Sequence, residues 1–143
     1  MDLLDNNVLI YSFRPEMELH APAKSWLESS LNENRPIRLF PTVEVGFARI
    51  VTHPKLFEPP SILSEVREFL SVLCASPGVE IVLWNARMRD RWLHLCEDLK
   101  LSGNDCNDAM LAAVALEKNL RVVSFDKGFR RFPDLKLELL GDD

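Results

Sequence analysis

The sequence predicts an α/β fold, a central and mostly parallel sheet of four or five strands flanked by helices, and three observations carry that expectation. Short aliphatic runs such as Ile37-Arg38-Leu39-Phe40 alternate with longer stretches whose apolar residues recur at helical spacing. Breaker clusters, among them Asn32-Glu33-Asn34-Arg35-Pro36 and Ser76-Pro77-Gly78, separate the two kinds of segment. Two of the strand-like runs end directly in an aspartate, Asp5 and Asp126. That is where open α/β sheets gather ligands, just outside the carboxyl ends of their strands.

The elements follow in order. Leu3-Leu4 leaves room for a short buried strand, and residues 7–13 have helical character. Pro15 marks a loop over 14–19. Ala23, Trp26, Leu27 and Leu31 form the stripe of a second helix over about 20–31. The second strand is expected at 37–40. Pro41 then suits the first turn of a helix over 42–52 that is apolar almost all round and is therefore expected to be buried, with Glu44 and Arg49 as its only charges. After Thr52-His53-Pro54 and a proline-rich loop, an amphipathic helix runs to about Ala75, a third strand spans 79–83, and a helix covers 86–100. The segment 109–116 is a helix with little polar surface, 120–125 reads as a buried strand, 127–133 as a basic and aromatic loop, and 135–140 as an edge strand. The end, Gly141-Asp142-Asp143, is expected to fray.

At 143 residues and 47% apolar content, the chain fits one domain, 1–143, around one core. With 17 basic against 22 acidic residues and a net charge of -5, it has no global attraction for nucleic acid. Contact with RNA or DNA would need local basic clusters, whereas the acid excess suits a metal-binding cleft. Cys74, Cys96 and Cys106 are odd in number and lack C-x-x-C spacing, so neither a disulfide framework nor a zinc knuckle is indicated, and a reducing cytoplasm fits. No charged n-region or long apolar run suggests a signal peptide or membrane span, and the chain is expected to be the whole mature protein.

Four acids stand out. Asp5 and Asp126 close strands; Glu44 lies in an apolar helix, where an acid is costly unless paired or metal-bound; Asp108 stands at the mouth of another apolar helix. Capping is the plain explanation for Asp5 and Asp108. Asn104 and Asp105 are better placed to cap, however, which leaves Asp108 one turn inside and sharing a face with Asp105. Brought together by the sheet, such acids need neutralising, and a carboxylate-only set suits Mg²⁺ or Mn²⁺; His20, His53 and His94 lie in unrelated contexts. Metal-assisted phosphodiester hydrolysis is the natural chemistry. Lys127, Arg130 and Arg131 form a basic and aromatic loop with candidate phosphate contacts beside Asp126, and Arg87, Arg89 and Arg91 read foremost as a solvated helix face.

Four stretches carry a family resemblance: Leu4-Asp5-Asn6-Asn7-Val8-Leu9, Thr42-Val43-Glu44-Val45-Gly46-Phe47-Ala48-Arg49, Asp108-Ala109-Met110-Leu111-Ala112-Ala113 and Ser124-Phe125-Asp126-Lys127-Gly128-Phe129. In order and context they resemble the PIN-domain ribonucleases, and within them the VapC-type toxins of type II toxin-antitoxin pairs. The resemblance implies a PIN-like fold, an Mg²⁺- or Mn²⁺-dependent endoribonuclease, and Asp5, Glu44, Asp108 and Asp126 as its catalytic and metal-binding acids. It also implies a homodimer neutralised by a small antitoxin. Asn7 matches the family and is expected to hold a ligand or water from behind. Asn6 departs from the usual Thr, Ser or Ala, and Gly128 stands where many members carry a further Asp, a loss for which Asp105 is a partial substitute. Two other readings compete: a metal-dependent phosphohydrolase with Asp5 as nucleophile, although Asn7 sits where a second acid belongs, and a degenerate module that binds RNA or protein without cleavage.

Overall fold

The computed structural model describes residues 1–141. Its sheet has five strands, all parallel: β1 (Asp2–Leu4), β2 (Ile37–Leu39), β3 (Val79–Ile81), β4 (Arg121–Ser124) and β5 (Lys136–Leu139), in spatial order β3-β2-β1-β4-β5. The chain winds outward from β1 through β2 to β3, then returns to the other side of β1 for β4 and β5. The winding reverses between β1 and β4, and a crevice opens at that switch point beyond the strand ends.

Among the described residues, six α-helices connect and cover the strands: α1 (Asn6–Phe13), α2 (His20–Asn32), α3 (Pro41–Val51), α4 (Leu63–Cys74), α5 (Ala86–Asp98) and α6 (Asp105–Lys118). Segment 127–133, expected as a loop, contains a 3₁₀ turn, Lys127–Arg131, because the Asp126 carboxylate accepts from the Gly128 N–H at 2.8 Å and starts it. Gly141 is a turn residue; the expected fraying of Asp142 and Asp143 falls outside the described residues.

The core lies on both sides of β1, whose Leu3 and Leu4 are fully buried against Ile37, Leu39, Val122 and Val123. Helix α6 buries Ala109 and Leu111–Ala115 as an almost continuous apolar run, as its composition predicts. Helix α3 does not follow expectation. Val43, Gly46, Phe47 and Val51 are buried, but Val45 is 66% exposed and Arg49 is exposed too. Its outer face borders the crevice instead of a second layer, so its apolar residues are not all core.

At the opposite end of the sheet, the buried Asp2 takes two hydrogen bonds from Arg121, at 2.9 and 3.1 Å, and Arg121 reaches Glu138 at 2.7 Å. These ties join β1 to β4 at their starts and carry Arg121 across to the later part of β5. Gly78, which opens β3, is a close-approach position: a Cβ there would sit 2.3 Å from the Arg35 carbonyl oxygen, a backbone atom that cannot swing aside. Gly78→Ala is therefore expected to destabilise the fold by about 1–3 kcal/mol, read as a lower urea midpoint at unchanged m.

Candidate functional site

The crevice at the switch point is lined by Asp5, Asn6 and Asn7 from β1 and α1, by Thr42, Val45, Gly46 and Arg49 from α3, by Asn104, Asn107 and Asp108 from α6, and by Asp126 after β4. Three of the four acids singled out in the sequence thus share one cleft.

Asp5 fulfils two roles at once. One oxygen caps α1, accepting from the Asn6 N–H at 2.8 Å, while the other accepts from the Ser124 hydroxyl at 2.7 Å. Ser124 is fully buried and works as a hub, its oxygen accepting from the Asn7 amide at 3.1 Å and the Asp126 N–H at 2.9 Å. The Asn7 carbonyl oxygen in turn accepts from the Phe125 N–H at 3.3 Å. Asn7 therefore clamps α1 to the end of β4 and holds the two acid-bearing strand ends together.

Asn6 faces the cleft beside α3. A Cβ on Gly46 would lie 2.7 Å from its Nδ2, so the carboxamide keeps this position only with glycine at 46 and would have to turn its end aside for any larger residue there. This close approach accounts for how the larger residue fits where the resembled family carries Thr, Ser or Ala.

Asp108 lies one turn into α6, as expected, with Asp105 on the same face. The Arg131 guanidinium reaches Asp108 at 3.1 Å and Asp105 at 3.5 Å. The expected cap differs: Asn104 occupies the N-cap position, yet its side-chain oxygen accepts from the Asn107 amide at 3.0 Å and leaves the backbone N–H groups uncapped by it.

Glu44 does not line the acid cleft. At about 100° per residue it falls on the side of α3 opposite Thr42, Gly46 and Arg49. There it is half-buried against α4 and accepts from the Cys74 thiol at 3.7 Å. The helix boundaries made Glu44 conspicuous, but helical phase decides which neighbour it meets. Arg87 and Arg91 pair with Glu117 of α6, at 2.6 and 3.3 Å, as an ion-paired surface of α5. Arg89 is exposed. Lys127, Arg130 and Arg131 stand on the turn that follows Asp126; Arg131 reaches the acids of α6, whereas Arg130 lines a separate hollow with Leu135, Leu137 and Leu139.

The electrostatics match the crowding. Burial, then the charges of Asp5 and Asp126, push the Asp108 carboxyl up to about 6, against an opposing pull from Arg131. Burial likewise raises Asp5, more than hydrogen bonds from Ser124 and the Asn6 N–H lower it, and Asp126 adds to the rise. Tyr11 is raised by burial and by the same two aspartates, which puts the chain's one tyrosine beside the cleft as well. Tyr11, Ser124 and Gly46 are not singled out by sequence pattern. A serine at the end of a buried strand, two positions before Asp126, is the one local signal for any of them.

No three His, Cys, Asp or Glu side chains among the described residues already close around a common point as ion ligands. Each cleft acid is engaged: Asp5 by Ser124, Asp126 by the Gly128 N–H, Asp108 by Arg131. The donor set nonetheless fits a hard divalent cation, being all carboxylate and carboxamide oxygen around a site where ionisation is disfavoured.

This arrangement, acids at the switch point of a five-stranded parallel sheet, defines a carboxylate-lined site of the PIN class, and the PIN domain family profile matches residues 3–135. The chain belongs to that family. It is 35% identical over 133 residues to a VapC ribonuclease of Mycobacterium bovis and to ribonuclease VapC43 of Mycobacterium tuberculosis, the match spanning 93% of this chain and 90% of each relative. Ribonuclease VapC31 of M. tuberculosis is 32% identical over 136 residues, 95% of this chain and 96% of the relative. In fold, the chain is similar to VapBC2 from Rickettsia felis bound to a promoter DNA fragment, with TM-score 0.72 at 20% identity over 97% of this chain and 98% of the other. It is also similar to the sarcin-ricin-loop-cleaving toxin VapC20 of M. tuberculosis, with TM-score 0.66 at 13% identity over 95% and 99%.

The raised acids make stability depend on pH in a definite direction. Asp108 ionises near 3.8 when unperturbed and near 6 in the fold, so between those values the native state binds more protons than the unfolded state. Stability rises as pH falls from about 6 towards 3.8 on this account, and the penalty is fully present above 6. The melting temperature in chelator is thus expected to be higher at pH 5 than at pH 8, with the climb setting in as pH falls through about 6. Asp108→Asn should raise it at pH 8 and flatten the climb; a melting temperature that stays level or falls on acidification would contradict the crowding.

Proposed function

We infer that this chain is a divalent-metal-dependent endoribonuclease, the toxin of a toxin-antitoxin pair. The observation that carries the reading is the meeting of Asp5, Asp108 and Asp126, from three separate elements, in one cleft where burial and neighbouring charge disfavour the ionised forms of Asp5 and Asp108. The VapC ribonuclease relatives, matched along nearly their whole length, support it. When bound, Mg²⁺ or Mn²⁺ supplies charge stabilisation to a phosphodiester and makes an attacking water more acidic. Asp5, Asp108 and Asp126 would hold the cation. Ser124 and Asn7 keep Asp5 and the start of the Asp126 turn in fixed relation, so the ligands need little reorganisation. Asp105 adds charge at the α6 side.

RNA enters this reading through the rim. Lys127, Arg130 and Arg131 project from one 3₁₀ turn beside Asp126 and supply the local positive charge that the chain lacks overall. A small antitoxin is the proposed partner, in keeping with the toxin-antitoxin complexes that share the fold, and the toxin is proposed to act in the cytoplasm as a homodimer. No helix among the described residues is long and apolar enough to cross a membrane.

The test is cleavage of an RNA mixture with and without Mg²⁺ or Mn²⁺. Excess chelator should abolish it, and Asp5→Asn or Asp126→Asn should each reduce it by at least about 100-fold, more than a residue supporting a ligand costs. Glu44→Gln is expected to lose less, because its carboxylate faces α4. Cleavage that persists in chelator, or in both aspartate variants, would overturn the reading. In a separate binding measurement with uncleavable RNA, replacing Lys127, Arg130 and Arg131 by alanine should flatten the slope of log affinity against log salt by about 2–3, near one for each phosphate no longer neutralised. An unchanged slope would remove the turn from the RNA surface.

A further inference from the structure

The Arg131 guanidinium occupies an unusual place for a surface cation. It reaches across from the 3₁₀ turn to the first turn of α6, with Asp108 at 3.1 Å and Asp105 at 3.5 Å, and lies over the Phe132 ring with its central carbon 5.0 Å from the ring centroid. The turn that carries it is fixed: Phe129 and Phe132 are buried, their rings packed 5.9 Å apart, and the Phe132 N–H donates to the Phe129 carbonyl at 3.2 Å. The backbone of Arg131 is thereby set, while its side chain, 32% exposed, keeps room to move. Gly128 lies beside the guanidinium's path. A Cβ there would stand 3.4 Å from Nη1 of Arg131, an ordinary contact, and a tighter 3.0 Å from Oδ1 of Asp126.

We propose that Arg131 is the resident counter-cation of the acid cleft: crossing over Gly128, it bridges Asp105 and Asp108 until a divalent cation displaces it, and it thereby sets how tightly the cleft takes metal. The proposal rests on the reading of the cleft as a metal centre. A guanidinium and a metal ion compete for the same Asp108 oxygens, and the pair that Arg131 makes must be given up before that carboxylate can turn to a cation. Coupling of this kind is reciprocal, so whatever Arg131 gains from the acids it subtracts from metal affinity. Once displaced, the side chain still stands on the rim, in reach of a phosphate, without moving the turn. Arg131 is on this account a positioning residue acting through Asp108. It makes the resting cleft less negative and delays metal uptake until concentration is sufficient.

The experiment uses Mn²⁺ alone on the RNA-free full chain near pH 7.5, with affinity measured by calorimetry and free Mn²⁺ followed by electron paramagnetic resonance. Arg131→Gln is expected to bind Mn²⁺ roughly five-fold more tightly than the parent, as losing a partly exposed competing ion pair implies, while Arg131→Lys, which keeps the charge, stays closer to the parent. The Mn²⁺-induced rise in melting temperature should be larger in Arg131→Gln. A purely structural ion pair between the turn and α6 would instead lower the melting temperature equally with and without Mn²⁺ and leave the affinity unmoved. Equal or weaker Mn²⁺ binding by Arg131→Gln overturns the proposal and leaves the metal centre standing. Absence of Mn²⁺ binding in both proteins overturns the metal centre itself, and the proposal with it.

Discussion

The hydrogen bond from the Ser124 hydroxyl to Asp5, 2.7 Å long and fully buried on the serine side, is the interaction on which the site depends. It joins the ends of two adjacent parallel strands at the point where the winding reverses, and both strands lead directly into acids. Parallel pairing of β1 with β4 aligns Leu4 with Val123, so Asp5 and Ser124 emerge side by side without any loop having to deliver them. The same hydroxyl oxygen accepts from Asn7 and from the Asp126 N–H, which makes one small side chain answerable for the relation between the β1 end, the α1 start and the 3₁₀ turn. A buried hub of this sort is rigid because every member is satisfied, and rigidity is what a charge-crowded site needs.

Crowding and stability oppose each other here. Desolvation is the largest cause of the rise at both Asp5 and Asp108, ahead of any neighbouring charge, so the fold resists ionising these acids even singly. The rest of the structure bears that cost through strands whose Leu3, Leu4, Val122 and Val123 are fully enclosed, and through the Asp2–Arg121–Glu138 stitching at the far end of the sheet. The two ends of β1 and β4 therefore differ in kind. At the starts, an acid is buried with two hydrogen bonds from one arginine; at the finish, acids are gathered in an open cleft where Arg131 pairs with Asp108 and Arg49 lines the wall.

How much of this was legible in the sequence follows from what each feature depends on. Asp5 and Asp126 could be read because a strand end is set locally, by the change from aliphatic to polar residues and by capping chemistry. Asp108 could be read because Asn104 and Asp105 fixed where α6 begins. Helix α3 misled for a physical reason: its apolar residues serve different surroundings, the core through Phe47 and Val51 and the open crevice through Val45, while the phase of Glu44 belongs to the α4 side. A composition that is apolar all round does not distinguish those, and it left Glu44 assigned to the cleft when its phase turns it to Cys74. Ser124 meets Asp5 across 119 positions of sequence, and Asn6 fits against Gly46 in a different helix. Both are made by tertiary packing alone, and no local pattern announces them.

Position 128 shows how a missing side chain changes the charge of a site. An acid there would project towards Asp126, whose oxygen already lies 3.0 Å from the Cβ position, and would add a further negative group to a cleft that disfavours those it has. Glycine instead leaves that space to the Arg131 guanidinium, with Nη1 only 3.4 Å from the same point. The Gly128 N–H donates to Asp126 and starts the turn that carries Lys127, Arg130 and Arg131. In a chain of net charge -5, that one turn carries three basic residues, and it brings one of them, Arg131, onto Asp105 and Asp108 at the edge of the acid cleft.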